Sequence, residues 1–448
     1  MINRNAVSRF PISWISTLYM AEGLPYFAVN VLAVILYTRM GVGLKEMAFF
    51  TGWLYLPWVI KPFWSSFVDI FSTKRHWILT MQFLITLTFA AVAFLLPLPF
   101  FFASTLAVFW VMAFFSATHD IAADGFYMLA LTDHQQAAYS GWRNTFYRIG
   151  SLIGQGGLVY MAGKLEESYS DVTRAWATTF LIMSLFFLLI FLYHTQVLPK
   201  PAEDRNMTRR SAGEIWKEFG ATFATFFTKR HIFTALLFML FYRFGEALML
   251  KVSAPFMLEP VSEGGLGLTT ADVGIINGTV GVIALLAGGI IGGLCISIGG
   301  LKKWLWPMAL SLTLPCGIYC WLAMTQPSSL IAINIGIGIE QFGYGFGFTA
   351  FMLYLIYFCE GPFKTSHYAF CTAFMALGMM LPGMAAGWVF EQVSTLQIFH
   401  SATPGYVNYF WLVMLCSVTT YIVCALVKID PEFGKSKKSG LQSDGTAD

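Results

Sequence analysis

Charged residues are scarce in this chain, because Asp, Glu, Lys and Arg make up only 11% of its 448 residues. Soluble domains carry about 25% charged residues, whereas hydrophobic residues here reach 57% of the total. A soluble fold this apolar would have too few polar side chains to cover its surface, so the composition predicts a protein surrounded by lipid. The basic residues are scattered over loops and form no stripe, which argues against nucleic acid as a partner.

The sequence also lacks the motifs of several other classes of protein. Its seven cysteines include no Cys-x-x-Cys pair and almost all fall in apolar runs, so we expect them to pack in the interior without disulfides or a metal site. No Walker-type loop is present, which excludes an ATP-driven pump. The polar segments are too short to hold the signalling module of a receptor.

Apolar runs of about 20 residues, the length that crosses a bilayer, recur along the whole chain. They lack the alternation of membrane β-strands and therefore predict helices. We expect twelve transmembrane helices, at residues 12–38, 47–68, 77–98, 103–131, 140–163, 174–197, 231–256, 270–298, 303–324, 328–358, 366–390 and 405–427. The predicted fold class is an all-α polytopic membrane protein.

The basic residues between these spans are distributed unevenly. With the N-terminus inside, nineteen Lys and Arg residues fall in cytoplasmic segments and four fall on the opposite side. Because basic residues concentrate in cytoplasmic loops, both termini are predicted to be cytoplasmic.

One long polar connection, residues 199–230, divides the spans into two sets of six. Its second part has the pattern of an amphipathic helix on the membrane surface. We therefore predict an N-terminal six-helix bundle at 1–198, the cytoplasmic connection at 199–230, a C-terminal six-helix bundle at 231–428 and a polar cytoplasmic tail at 429–448.

An internal repeat supports this division. The segment "MGVGL" at Met40–Leu44 returns as "GGLGL" at Gly264–Leu268, and the same shift of 224 residues carries Glu22 onto Glu246. Two six-helix halves related in parallel are the plan of the major facilitator fold, in which the substrate site lies at the midplane between the halves.

The stretch "FFSATHDIAADGFYMLAL" places Asp120 and Asp124 inside the fourth predicted span. They lie four residues apart on one helix face, so their charges repel unless a cation or a shared proton is near. Arg143 and Arg148 in the fifth span are the candidate cations. A structural ion-pair network and a role with protons or substrate both remain open, as they do for His119, which projects about 100° from Asp120.

The first span carries "YMAEGLPYFAVN", with Glu22 near the middle of the bilayer by helical rise. Gly23 and Pro25 follow it, a combination that bends a span and frees backbone groups to line a cavity. Because intramembrane ionisable residues usually face the bundle interior, Glu22 is a candidate for proton binding, and Tyr26 beside it is a candidate for substrate binding.

The seventh span contains Arg243 and Glu246, which are three residues apart and can pair within the helix. A neutral structural pair and a role in substrate binding are both open. Lys251 lies nearer the outer end of this span, where its side chain can extend to the membrane interface.

The tenth span contains Glu340 and Gln341 near mid-membrane, with Tyr344 one turn further along. The glycines around them predict close helix packing. A carboxylate and an amide beside aromatic rings also suit a sugar, which has polar edges and apolar faces.

The connection after the second span reads "SSFVDIFSTKR". It resembles the loop signature of the major facilitator superfamily, in which a small residue and an acidic residue precede basic ones. Here Ser65 stands where glycine is usual, and Asp69 precedes Lys74 and Arg75. Together with Arg143, these charged residues are predicted to form a gating or structural network.

Several of these segments together resemble the AmpG muropeptide permease family, a branch of the major facilitator superfamily with acetyl-coenzyme A transporters among its relatives. "HDIAADGFY" resembles the family's Gln-Asp-Ile-Ala-x-Asp-x-Tyr segment, with His119 in place of Gln. "FYRIG" resembles its Tyr-Arg-Leu-Gly segment, and "FYRFGEAL" resembles its seventh-span signature. The resemblance covers most of spans one to eleven.

The resemblance implies a secondary transporter of the bacterial inner membrane that imports N-acetylglucosaminyl-anhydro-N-acetylmuramyl compounds, with or without peptide, for cell-wall recycling. It implies coupling to the proton gradient and no cofactor. A transporter of the same fold for small glycans, siderophores or acyl-coenzyme A is the alternative. We expect membrane lipid and a small-molecule substrate as partners, with no obligate protein partner.

A membrane acyltransferase is a more distant alternative, because His119 and Asp124 match the His-x4-Asp pattern of those enzymes. Five residues along a helix separate two side chains by about 140°, so these two cannot pair on one helix. No second acyl-binding signature accompanies them. We therefore expect a transporter that works by alternating access, not an enzyme.

The sequence thus assigns three groups of residues. The candidates for proton coupling are Glu22, Asp120, Asp124, Glu246 and Glu340. The candidates for substrate binding are Tyr26, His119, Arg148, Arg243, Gln341 and Tyr344. The gating or structural network comprises Asp69, Lys74, Arg75 and Arg143. No catalytic residue and no metal ligand is expected.

Overall fold

The computed structural model describes residues 11–63, 65, 68, 72–201, 204, 212–361, 364–396 and 404–435. Within these ranges the chain forms helices joined by short turns, and no residue is in a β-strand. The first half contains α1 (Pro11–Arg39), α2 (44–59), α3 (Lys74–Leu95), α4 (Phe101–Ala130), α5 (133–169) and α6 (Val172–Val197). A linker helix α7 (Ala212–Phe227) precedes α8 (Ile232–Leu258), α9 (Thr270–Gly299), α10 (Leu301–Thr325), α11 (Leu330–Phe358), α12 (Lys364–Ser394) and α13 (Pro404–Leu426).

Nine helices in the described part of the chain are long and apolar enough to cross a membrane. The three other predicted spans lie, as far as the structure describes them, mostly on the helices α2, α5 and α11, which are shorter or more polar. The all-α fold class is confirmed, whereas the count of twelve transmembrane helices remains a prediction.

The start of α5 follows a local capping signal. The helix begins at Asp133, several residues before the predicted span. The Thr132 hydroxyl accepts a hydrogen bond from the Gln135 backbone, and the Gln135 side chain accepts one from the Thr132 backbone. This reciprocal pair satisfies two N–H groups that would otherwise lack partners, so a polar segment becomes the first turns of the helix.

Several spans depart from regular α-helix. The first one stays helical through Pro25 and then forms a π-helical turn at Ala28–Leu32. Two further π-helical segments lie in α5 at Leu152–Gly157 and in α9 at Gly274–Gly281. The α8 helix is interrupted at residues 242–243. Such irregular segments are frequent at functional sites and are tolerated in membranes where they line a cavity.

Aromatic rings fill the interior of both halves. Phe89 of α3 packs against Phe187 of α6 with 5.4 Å between ring centroids. In the second half, Tyr242 stacks on Phe351 of α11 at 5.2 Å. The outward faces are apolar as well, and Ile298, for example, is 83% exposed. Apolar surface of this kind is expected on helices that face lipid.

The two halves meet where α2 contacts α8 and α12 and where α5 contacts α9, and we name these contacts the outer seam. Gly156 of α5 lies with its backbone directly against that of Gly278 of α9. A Cβ on Gly387 of α12 would lie 2.5 Å from the Cα of Lys45 of α2. Glycine is needed at these points because any side chain would hold the helices apart. The outer seam lies toward the side that the basic residues predict to be non-cytoplasmic.

The linker helix α7 packs against α12 through phenylalanine rings. Phe226 stacks over Phe374 with 6.2 Å between centroids. Lys229, just after α7, donates hydrogen bonds to the backbone carbonyls of Phe358 and Glu360 at 2.7 and 2.8 Å. A helix is therefore present in the predicted connection and is attached to the second half, while the domain boundaries themselves remain a prediction.

Candidate functional site

Three carboxylates from two helices meet inside the first half, and we name them the acidic cluster. Glu22 of α1 and Asp120 and Asp124 of α4 each place a carboxylate oxygen within 4.8 Å of the others. The two aspartates share one face of α4 because they are four residues apart. The α1 helix packs on α4 and adds Glu22 to that face.

Two basic side chains neutralise part of the acidic cluster. Lys61, which follows α2, pairs with Asp120 at 2.5 Å between Nζ and Oδ2, and Arg143 of α5 pairs with Asp124 at 2.5 Å between Nη2 and Oδ1. The Arg143 guanidinium also lies 4.4 Å from the centroid of the Tyr19 ring, and the Tyr19 hydroxyl donates to Asp124 at 3.3 Å. Each of the two aspartates thus has a basic side chain within ion-pair distance.

Glu22 is the member of the acidic cluster that has no cation of its own among the described residues. Its side chain is buried, and its Oε2 atom has no hydrogen-bond partner in that part of the chain. Three carboxylates facing two cations leave one excess negative charge, which is costly to bury. A single proton bound by the cluster would remove that charge.

Arg148 does not join the acidic cluster, although the sequence offered it as a partner for the two aspartates. It lies five residues after Arg143, or about 140° around the helix, so only one of the two can face α4. Arg148 instead lies within electrostatic range of the hydroxyls of Tyr26 and Tyr344. No hydrogen bond or ion pair joins its side chain to another residue that the structure describes.

His119 is fully buried on another side of α4. Its Nε2 atom lies 3.0 Å from Gln82 Nε2, and the oxygen of the same amide lies 3.0 Å from His194 Nδ1. The Thr17 hydroxyl completes this chain at 2.8 Å from His194 Nε2. These contacts join α1, α3, α4 and α6 and favour a helix-contact role for His119. Because its partner is Gln82 and not Asp124, the acyltransferase alternative has no geometric basis.

A second charged group lies in the other half, at the break in α8. Arg243 donates two hydrogen bonds to Glu246, from Nε at 2.8 Å and from Nη2 at 2.6 Å. The same guanidinium donates to the Tyr344 hydroxyl at 2.9 Å and lies over the Phe348 ring. The pair is buried and neutral, as the spacing of three residues allows, and it is attached to α11 through Tyr344.

Glu340 of α11 is a further buried carboxylate. Gln341 donates a hydrogen bond to it at 2.8 Å, and Glu246 lies within electrostatic range. No basic side chain pairs with Glu340 among the described residues. A proton would therefore neutralise this group too, which keeps Glu340 among the candidates for proton coupling.

Tyrosines connect the charged groups of the two halves. Tyr26 of α1 lies within electrostatic range of Arg243 and of Arg148. The hydroxyl of Tyr55 of α2 lies close enough to those of Tyr26 and Tyr344 to interact with them electrostatically. We name Tyr26, Tyr55 and Tyr344 the central tyrosines. They place aromatic faces and hydroxyl groups from both halves in one region of the molecule.

Lys251 does not extend to the membrane interface, so that expectation is wrong. It is only 5% exposed, and its Nζ atom donates to the Thr51 hydroxyl at 3.1 Å. The ammonium group also lies 5.6 Å from the centroid of the Tyr55 ring. The physical reason is that α8 faces α2 of the other half at this position and not lipid.

The residues predicted to form a gating network divide between separate places. The backbone N–H groups of Lys74 and Arg75 donate to the Asp204 carboxylate at 2.7 and 3.1 Å. An acidic side chain at a helix N-terminus is favourable, and this one joins the start of α3 to the connection after α6. Arg143 instead pairs with Asp124 of the acidic cluster. Asp69 lies outside the described residues.

Two charged residues outside the candidates predicted from the sequence also make ion pairs in the structure. Lys61 stands in the second predicted span, where a lysine is itself a signal of a functional site. Glu166, at the outer end of α5, pairs with Arg39 at 3.0 Å and accepts a hydrogen bond from Trp176 at 2.7 Å. It also accepts a hydrogen bond from the Thr270 hydroxyl at 2.8 Å. Because Thr270 begins α9, this last contact crosses the outer seam.

Comparison with known proteins identifies the family. The sequence model of the BT1 family matches residues 20–296 of this chain, which is more than half of its length. The chain belongs to the BT1 family.

Individual relatives of this BT1 family member include named permeases. The anhydromuropeptide permease of Escherichia coli is 26% identical over 411 residues, which cover 89% of this chain and 78% of that protein. The putative transporter AmpG 4 of Rickettsia conorii is 27% identical over 363 residues, which cover 77% of this chain and 83% of that protein. The resemblance to the AmpG permeases that the motifs indicated is confirmed.

Solved structures of transporters share the fold. The D-xylose-proton symporter matches with a TM-score of 0.69 and 12% identity, covering 95% of this chain and 98% of that one. The nucleoside transporter NupG matches with a TM-score of 0.64 and 12% identity, covering 94% and 100%. These matches show the major facilitator fold alone. The BT1 family and the relatives named as permeases make this protein a multi-pass membrane transporter and not an enzyme.

Proposed function

We propose that this BT1 family member is a proton-coupled secondary transporter that imports muropeptide-type amino-sugar compounds across the bacterial inner membrane. The substrate would be N-acetylglucosaminyl-anhydro-N-acetylmuramic acid, with or without its peptide, and the pathway served would be cell-wall recycling. The name of the Escherichia coli relative supports the choice of substrate. The acidic cluster is the observation that supports the coupling to protons.

The proton would bind at Glu22. Asp120 and Asp124 each have a cation within ion-pair distance, whereas Glu22 has none in the described part of the chain. Without the proton, the buried cluster carries one excess negative charge, and with it the cluster is neutral. Neutralisation lowers the cost of enclosing the cluster while the two halves rock around the substrate. Release of the substrate and the proton on the cytoplasmic side would complete the import step.

The substrate would bind between the halves at the central tyrosines. Apolar faces of sugar rings pack well on aromatic side chains, while amides and guanidinium groups bind the polar edges. Gln341 and Arg148 offer such groups, and Arg243 holds the Tyr344 hydroxyl in place. Glu246 keeps that arginine neutralised, so we assign the pair to positioning of Tyr344 more than to proton transfer.

Uptake of labelled anhydromuropeptide into proteoliposomes tests this function. We expect an inward proton gradient to drive accumulation by the wild-type protein. Glu22→Gln should lose accumulation yet still exchange labelled for unlabelled substrate, because a permanently neutral cluster permits reorientation but not coupling. Asp120→Asn should also lose accumulation, because two carboxylates facing two cations leave no excess charge for a proton to neutralise. Glu46→Gln, a change at an exposed carboxylate near the start of α2, is the matched control.

Two results would contradict the proposal. If Glu22→Gln and Asp120→Asn both keep gradient-driven uptake, the proton is carried elsewhere. If folded and correctly inserted wild-type protein takes up no anhydromuropeptide, the substrate assignment is wrong. Small glycans, siderophores and acyl-coenzyme A thioesters are then the solutes to test on the same vesicles.

A further inference from the structure

Lys251 of α8 is a buried lysine to which the proposed transport cycle assigns no role. Its ammonium group is buried, and its contacts are one hydrogen bond to the Thr51 hydroxyl at 3.1 Å and the face of the Tyr55 ring at 5.6 Å. Thr51 also donates its own proton within α2, to the Met47 carbonyl at 2.7 Å, so its oxygen is free to accept from Lys251. No carboxylate forms an ion pair with Lys251 among the residues that the structure describes.

The basic side chains at the acidic cluster and in the Arg243–Glu246 pair differ from Lys251, because each of them has a carboxylate partner. Lys61, Arg143 and Arg243 each have a carboxylate within 2.6 Å. A buried ammonium group without a counter-ion is expensive to keep, so an ordinary structural role would be served better by an apolar residue. An ionisable residue inside a membrane protein is a candidate functional residue, and a negatively charged ligand would supply the charge that Lys251 lacks.

The position of Lys251 relates it to the opening of the transporter. Its partner Thr51 belongs to the first half, so the hydrogen bond between them crosses the outer seam. Gly383 of α12 leaves room for the lysine stem, because a Cβ there would lie 3.4 Å from the Lys251 Cγ and Cε atoms. Next to Thr51, Gly52 lies against Met384 of the second half. Separation of the halves along the outer seam would therefore withdraw Thr51 and leave the ammonium group facing the opened space.

We propose that Lys251 binds a carboxylate of the substrate when the outer seam is open, and that Thr51 takes the place of that carboxylate when the seam is closed. The inference rests on the proposed function, because it uses alternating access and names the substrate's charged group. Anhydromuropeptides that carry a peptide have free carboxylates, so they meet this requirement. The central tyrosines would then contact the sugar while Lys251 selects for the acid group.

The test compares a carboxylate ligand with its carboxamide form on the purified full-length protein in lipid nanodiscs. The ligands are an anhydromuropeptide with a free peptide carboxylate, the same compound with that group amidated, and two other carboxylate–carboxamide pairs, one a short peptide and one a sugar acid. Binding is measured for the wild type, Lys251→Met, Lys251→Arg and Thr51→Val. Lys45→Met is the matched control, because Lys45 lies at the same seam but is exposed and paired with Glu391 at 2.8 Å.

We expect the wild type to prefer a carboxylate over its carboxamide by about ten- to a hundredfold, the range of a hydrogen bond to a charged group. Lys251→Met should abolish this preference, so that the carboxylate and its carboxamide bind with similar affinity. Lys251→Arg, Thr51→Val and Lys45→Met should all keep it. A purely structural lysine would instead weaken binding of both forms equally on substitution.

The outcomes separate this inference from the proposed function. If the wild type binds anhydromuropeptide and its amidated form equally well, the role of Lys251 is refuted while the proposed function stands. If anhydromuropeptide does not bind but another carboxylate does, with a preference that Lys251→Met removes, the substrate assignment fails while the role of Lys251 stands. If Lys251→Met keeps the preference, or if no carboxylate of the panel is preferred, the inference is wrong.

Discussion

The hydrogen bond between the Thr270 hydroxyl and the Glu166 carboxylate should stabilise the closed outer seam. Thr270 is 1% exposed and donates across the seam to a carboxylate at 2.8 Å. A hydrogen bond to a charged group contributes about 1.5–3 kcal/mol. In Thr270→Val, Glu166 keeps its contacts with Arg39 and Trp176, so the loss should lie near the lower limit. A loss of about 1.5 kcal/mol shifts the equilibrium between closed and open seam roughly tenfold toward open.

Spin labels on the two sides of the outer seam provide the assay, because pulsed electron resonance reports the distribution of distances between them. Thr270→Val should increase the population with the seam open. Thr178→Val is the control, since the Thr178 hydroxyl is exposed and donates only to the carbonyl of Arg174 within its own helix. If both variants give the wild-type distribution, the Glu166 contact does not hold the seam and the reasoning fails.

Three further predictions concern stability. Gly278→Ala places a Cβ against the backbone of Gly156 and should lower the free energy of unfolding by about 1–3 kcal/mol through overpacking. Thermal unfolding in detergent should show a lower melting temperature. Gly293→Ala is the control and should melt like the wild type, because its Cβ meets nothing within 4 Å. Gln82→Leu leaves two buried histidine rings without their common partner and should lower the free energy of unfolding by about 2–4 kcal/mol. Chemical denaturation measures this loss, and Gln82→Glu, which keeps a polar group at this position, is the comparison. Burial raises the pKa of Glu259, which lies just beyond α8. The folded state then holds this proton more tightly than the unfolded state, so stability should fall as pH rises above the ordinary value of about 4.3. Melting curves between about pH 4 and pH 7 should lose that slope in Glu259→Gln, and a slope that persists would show that Glu259 is not its source.

The sequence predicted where helices lie because lipid requires long apolar runs. The fourth span was expected at 103–131 and is found at Phe101–Ala130. The eleventh was expected at 366–390 and extends over Lys364–Ser394, because a helix can continue into the polar region beyond the apolar run. The length of an apolar run does not predict such extensions. For α5, only the capping pair at Thr132 predicts that the helix begins before its apolar run.

The candidate site was predictable in its residue types but not in its pairings. Glu22, Asp120 and Asp124 were all recognisable as intramembrane carboxylates. Their meeting depends on how α1 is rotated against α4, which no spacing within one helix reveals. Helical geometry alone could have separated Arg143 from Arg148, because five residues place them on different faces.

The contacts across the outer seam were the least predictable part. Gly156 and Gly278 are two of 40 glycines, and nothing in their neighbourhoods marks them as the point where two backbones meet. The expectation that Lys251 extends to the membrane interface is wrong for a related reason. Its depth suggested an interfacial position, whereas its direction toward Thr51 is set by the packing of α8 on α2.

Proton uptake on substrate binding tests the central claim most directly. Purified protein in weakly buffered solution, with a pH-sensitive dye, is mixed with anhydromuropeptide. If the acidic cluster holds one excess negative charge that must be neutralised with the substrate, binding by the wild type takes up a proton, and binding by Glu22→Gln takes up none. Substrate binding without proton uptake by the wild type, or equal uptake by Glu22→Gln, would contradict the account.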